Sequence, residues 1–161
     1  MPTPGFRRRS YVPRFFEIIA AGIAWLLYRV RRGGTENFPA TGGVLLIANH
    51  LSYIDPVVLQ LACPRPIRFI GYKGLKDQLF FRWVFRLSGA IPISQTSSME
   101  GTRLAIKALQ AGEVVAIFPE GHISRTGQLM PIMRGFEVVA RKAGVPIIPA
   151  FIDGVWGSVF S

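Results

Sequence analysis

Cysteine occurs once in this chain, at Cys63. No intrachain disulfide can form, and the scarcity fits a reducing compartment. Histidine occurs only at His50 and His122, 72 residues apart, and with one cysteine these make no recognisable ligand set. No metal is therefore expected; no cofactor is expected either. No Gly-x-Ser-x-Gly elbow is present, and Cys63 sits in a segment running into prolines with no evident partner. Covalent catalysis through serine or cysteine is disfavoured on that ground. Acidic residues are few, nine against 19 basic ones, and no apolar run reaches the ~20 residues that a membrane-crossing helix demands. Internal repeats and domain linkers are missing as well.

What is present is charge and grease. The formal charge of +10 makes a surface that attracts polyanions, whether nucleic acid, anionic lipid or phosphorylated molecules. A mean hydropathy of +0.34 with 12 Phe and three Trp points away from nucleic acid and toward a membrane lipid surface as partner. With 161 residues, half of them apolar, the chain can bury one core and make one domain.

Residues 1–14 carry Arg7, Arg8, Arg9 and Arg14 among prolines and read as a flexible basic arm. Residues 15–32 follow as an apolar helix, broken by Glu17 and closed by Arg29, Arg31 and Arg32. Its sixteen mostly apolar positions from Phe15 to Val30 cover roughly 24 Å, so it should lie on a membrane rather than cross it. Burial as the domain's first helix is the competing reading, and both can hold.

Residues 33–161 form the domain proper. Its organising stretch is Val44-Leu45-Leu46-Ile47-Ala48-Asn49-His50-Leu51-Ser52-Tyr53-Ile54-Asp55-Pro56. The apolar run reads as a buried strand, and the polar residues after it as the loop where that strand stops. Asp55-Pro56 opens a helix, with the aspartate accepting from first-turn amides or Ser52 and Asp55 forming a capping box. Five residues of regular helix would set His50 and Asp55 about 140° apart. A turn, however, can fold the carboxylate back onto the imidazole. That pairing is what a general base needs, one ring nitrogen held and the other free to take a proton. A hydrogen-bonded structural histidine beside an ordinary helix cap is the bland alternative.

Further along, Ile67 to Gly71 reads as a strand delivering Lys73 into a turn where it can hold a phosphate. Leu75 to Leu87 is helical in pattern, and Phe80, Phe81, Trp83 and Phe85 point too many ways for one core stripe. Ala90 to Ile93 is a short strand, and a helix capped by Ser97 or Ser98 follows, with Gly112 after its end. Val114 to Phe118 is another buried strand, stopped by Pro119-Glu120-Gly121. His122, Ser124, Arg125 and Arg134 follow on a polar loop that reads as an anion cradle. Arg134 to Ala143 is a helix ended by Gly144, and Val145 to Ile152 a last strand.

Together these stretches resemble the glycerolipid acyltransferase family, which includes lysophosphatidic acid acyltransferase. Asn49-His50-x4-Asp55 is similar to its His-x4-Asp motif and Phe118-Pro119-Glu120-Gly121 to its Phe-Pro-Glu-Gly motif. Ser88 to Ile93 stands where the intervening motif belongs, and Val145-Pro146-Ile147-Ile148-Pro149 where the last does. The likeness spans roughly residues 33 to 157. It departs at Gly121, which is followed by His122 and Ile123 with arginine only at 125, where the family commonly has Thr-Arg. In this detail the chain looks more like the acyltransferase part of bifunctional 2-acylglycerophosphoethanolamine acyltransferase and acyl carrier protein synthetase proteins. A chain stopping at Ser161, soon after the last motif, is expected to be C-terminally truncated.

The resemblance implies an α/β fold, a single domain with a central mixed β-sheet flanked by helices. It implies acyl transfer from acyl-CoA or acyl carrier protein to a lysophospholipid, on the cytoplasmic face of a membrane. His50 and Asp55 are the implied catalytic pair, with Glu120, Gly121, Arg125, Arg134 and Lys73 holding substrate. Two other readings stand beside it: a non-catalytic membrane or lysolipid-binding module, and a thioesterase or lipid hydrolase.

Overall fold

The computed structural model describes residue 22 and residues 30–72, 89–93 and 98–157. The basic arm, nearly all of the apolar helix over 15–32, Lys73, the aromatic-rich helix over 75–87 and Ser97 lie outside the described residues. Within them, a short 3-10 turn (Thr35–Asn37) leads to strand β1 (Val44–Ala48), helix α1 (Asp55–Ala62), and strands β2 (Ile67–Tyr72) and β3 (Ile91–Ile93). Helix α2 (Ser98–Gln110), strand β4 (Val114–Ile117), helix α3 (Gly135–Ala143) and strand β5 (Ile147–Ala150) complete the order. No described helix is long and apolar enough to cross a membrane.

The strands form one sheet in the order β3-β2-β4-β1-β5. Every pairing among the described strands is parallel, which corrects the mixed sheet expected from the sequence. The reason lies in the connections: α1 joins β1 to β2, α2 joins β3 to β4 and α3 joins β4 to β5. A helical crossover returns the chain to the starting edge, so the next strand runs the same way.

Both faces of such a sheet are covered, which is why its strands are continuous apolar runs rather than alternating ones. Side chains of successive strand residues point to opposite faces. Accordingly Val44, Leu46 and Ala48 pack with Leu59 of α1, Phe69, Val114, Ala116, Ile152 and Val155. Leu45 turns the other way, joining Val115, Ala105, Ala108 and Leu109 of α2, and Val139 and Ala140 of α3. Val44 pairs with Val114 and Leu45 with Ile147, so β1 is clamped between β4 and β5. Gly43, just ahead of β1, admits no side chain, because a methyl there would run into the backbone carbonyl of Leu109.

Arg65 fastens the edge where the strands begin. Its guanidinium donates to the carbonyls of Pro39 at 3.0 Å and Gly112 at 2.6 Å, tying three segments together. Burial lowers its pKa below the ordinary arginine range. That edge is stapled shut. The opposite edge, where β1, β4 and β5 end side by side, carries the polar loops.

Candidate active site

The loop after β1 places His50 two residues beyond the strand, and Asp55 begins α1. A main-chain turn brings the Asp55 N–H to the Ser52 carbonyl at 3.2 Å, which reverses the chain within four residues. The carboxylate thereby faces the loop instead of the helix amides. Its Oδ2 accepts from the Leu51 N–H at 2.6 Å and the Ser52 N–H at 2.8 Å, the second bond being half of the expected capping box. The same oxygen lies 2.8 Å from His50 Nδ1. Because an ionised carboxylate only accepts, Nδ1 carries the hydrogen and Nε2 is the nitrogen left to take a proton. Asp55 is 0% exposed and the His50 side chain 17%, so a buried anion backs an imidazole that reaches the surface.

The second motif meets the first from the neighbouring strand. Phe118 directly follows β4 and stacks on His50, ring centroids 4.0 Å apart and planes within 15°. Phe69 of β2 stacks behind Phe118 at 6.4 Å. Glu120 is 2% exposed. Its Oε1 accepts from the His50 backbone N–H at 2.7 Å and its Oε2 from the Met130 N–H at 2.9 Å. The His50 carbonyl accepts from the Ser124 N–H at 2.8 Å. Ser124 is itself buried, its hydroxyl donating to the Gln128 carbonyl.

Gly121 follows with φ +78°, the left-handed region that favours glycine. A methyl there would also strike the end of the Met133 side chain. Arg125 is exposed and has no hydrogen-bond or ion-pair partner among the described residues. Arg134, at the N-terminus of α3, is 82% exposed and engaged with Glu137 through Nε at 2.8 Å and Nη2 at 3.2 Å. That hydrogen-bonded pair raises the arginine's pKa and lowers the glutamate's.

The structure thus brings His50, Asp55 and Glu120 into one cluster, and sets Gly121 on the turn beside it. Arg125 is on the same loop but points its charge to solvent, and Arg134 is committed to a neighbour. Asn49 carries no site signal of its own in the sequence, yet it is buried and exchanges two hydrogen bonds with the Ile152 backbone, at 2.8 and 2.7 Å. This ties the loop after β1 to the segment after β5, and nothing local in the sequence signals a partner 103 residues away. Cys63 caps the far end of α1, where burial pushes its thiol pKa up against the opposing pull of Arg65.

A family described as Acyltransferase matches residues 29–153 of the chain. The 1-acyl-sn-glycerol-3-phosphate acyltransferase BAT2, chloroplastic, of Brassica napus is 28% identical over 151 residues, which cover 91% of this chain and 44% of that protein. The 1-acyl-sn-glycerol-3-phosphate acyltransferase of Bacillus subtilis is 28% identical over 130 residues, covering 76% of this chain and 64% of its own. The crystal structure of the LPA acyltransferase PlsC from Thermotoga maritima shares the fold, with a TM-score of 0.74 at 24% identity over 92% of this chain and 60% of that one. This chain spans less than half the length of the Brassica napus relative.

Proposed function

The chain belongs to the Acyltransferase family, and on that premise we propose that it transfers a fatty acyl group from an acyl thioester to the free hydroxyl of a lysophospholipid. The donor is acyl-CoA or the acylated form of acyl carrier protein. The acceptor is 1-acylglycerol-3-phosphate, the substrate in the relatives' names, or a near analogue such as 2-acylglycerophosphoethanolamine. The observation that carries this reading is the 2.8 Å contact between His50 Nδ1 and a fully buried Asp55 carboxylate. The acceptor hydroxyl sits against Nε2, which takes its proton as the oxygen attacks the thioester carbonyl. A C–O bond forms, the C–S bond breaks, and the imidazolium returns the proton to the departing thiolate. Asp55 fixes the imidazole tautomer and stabilises the imidazolium while it lasts.

No acyl-enzyme intermediate is required. The hydroxyl of Ser124 is turned into its own loop, and Cys63 lies at the other end of α1. Arg125 is the cation best placed to meet a phosphate, being exposed on the loop that holds His50. Lys73 and Arg134 are secondary candidates for the same task. The formal charge of +10 favours work at an anionic lipid surface, on the cytoplasmic side.

The test is thiol release from both donors, measured with and without a panel of lysophospholipids, for the wild type and His50→Ala. Acyl transfer should depend on a lysolipid and fall by about 10²–10⁴ in the variant. Thiol release without an acceptor would establish a hydrolase, and no release a binding module. Normal turnover by His50→Ala would remove the base from the mechanism.

A further inference from the structure

His50 is gripped by the loop after β4 at three points. Its ring lies flat on Phe118, its N–H donates to Glu120, and its carbonyl accepts from Ser124. The resemblance assigns Glu120 to substrate, but both of its oxygens are engaged by backbone N–H groups and only 2% of the residue is exposed. A carboxylate would in any case repel a phosphorylated acceptor. We infer that the Phe118-Pro119-Glu120 corner is a mount for the His50 base, with Phe118 and Glu120 as positioning residues rather than substrate ligands. This rests on His50 being the base of the proposed reaction.

The physics of the mount is specific. Nδ1 anchored to Asp55 leaves the imidazole one soft motion, tilting of the ring plane, and the parallel face of Phe118 at 4.0 Å opposes that tilt. Phe69 behind it keeps Phe118 from yielding. When His50 takes the acceptor's proton, the electron-rich face of Phe118 lies against the new cation. Only the attraction to the imidazolium grows as the proton is taken, so losing the aromatic face costs about tenfold in rate. Glu120 acts one bond further back, fixing the peptide from which the imidazole hangs.

The experiment compares Phe118→Leu, Phe118→Tyr and Glu120→Gln by kcat and acceptor KM, together with proton NMR of the histidine rings. The chain has only two histidines, and exposed His122 is an internal reference. In the wild type the His50 ring protons should lie upfield of those of His122, because they sit over the Phe118 face, and Phe118→Leu should abolish the displacement. That variant should lose about tenfold in kcat with acceptor KM within about twofold, and Phe118→Tyr should restore most of the rate. Glu120→Gln should likewise lower kcat and spare KM. A raised acceptor KM with kcat intact, in either the leucine or the glutamine variant, overturns the inference. So does a wild-type spectrum without the upfield displacement, which also decides the matter should Phe118→Leu fail to fold. A displaced His50 in a protein that transfers no acyl group would instead count against the acyl-transfer reading alone.

Discussion

Replacing Asp55 by asparagine separates the charge of the carboxylate from its geometry. Oδ2 accepts from three donors, His50 Nδ1 at 2.8 Å, the Leu51 N–H at 2.6 Å and the Ser52 N–H at 2.8 Å. Oδ1 is buried and has no partner among the described residues. The two backbone N–H groups dictate how an asparagine must sit, since an amide nitrogen at the Oδ2 position would face donors only. Its carbonyl oxygen therefore takes that place, and its NH2 group falls where Oδ1 was, buried without an acceptor. Leaving that group unpaired costs about 1–3 kcal/mol, and three charge-assisted bonds weaken to neutral ones. A net destabilisation of about 3 kcal/mol follows, read as a lower urea midpoint at unchanged m-value.

Function should suffer less than that arrangement first suggests. Nδ1 still donates to an oxygen, so the tautomer with a free Nε2 survives and only the negative charge behind the imidazolium is lost. Acyl transfer should fall by about 10²–10³, whereas Asp55→Ala, which frees the ring and strands three donors, should fall further. Unchanged stability in Asp55→Asn would refute the account of the turn. An asparagine variant as inactive as the alanine one would refute the account of the tautomer.

Gly43→Ala should destabilise the fold by about 3 kcal/mol or more, because the added methyl meets the rigid Leu109 carbonyl; denaturation within about 0.5 kcal/mol of wild type would contradict that. Arg125→Ala should raise the KM for a phosphorylated acceptor by about tenfold with thermal stability unchanged, as checked by kinetics beside calorimetry. Cys63, its thiol pKa raised by burial, should react with iodoacetamide more slowly in the folded protein than in urea at pH 8. By the same shift, the unfolded chain ionises this thiol first as pH rises. Its contribution to stability is whole below the ordinary thiol range and declines as pH climbs through it, a decline that Cys63→Ala should lessen in urea titrations at pH 8 to 10.

Much of this architecture is local and so was visible in the chain itself. The apolar run Val44 to Ala48 became β1, Asp55-Pro56 opened α1, and Gly144 ended α3 in the left-handed region. Strand ends were less legible. Phe118 and Val145 belong to apolar runs longer than β4 and β5, because the Phe118 carbonyl accepts from the Gly121 N–H in a turn and the Val145 N–H donates to the Ala140 carbonyl at the end of α3, which a run of residue types does not record. The parallel sense of the sheet depended likewise on which strands became neighbours.

The sequence by itself determined the chemistry available: one imidazole with a carboxylate five residues on, and one proline-acid-glycine corner after a second strand. Residue type and short spacing are enough for that, since each lies within a single turn of backbone. Only the tertiary structure decided what the corner does. The register that sets Leu46 beside Ala116 and Ile47 beside Ile117 carries Phe118 and Glu120 up against His50, 68 and 70 residues away along the chain. A buried carboxylate takes its meaning from whichever N–H groups the fold brings within 3 Å, and for Glu120 these belong to the backbone of His50 and Met130.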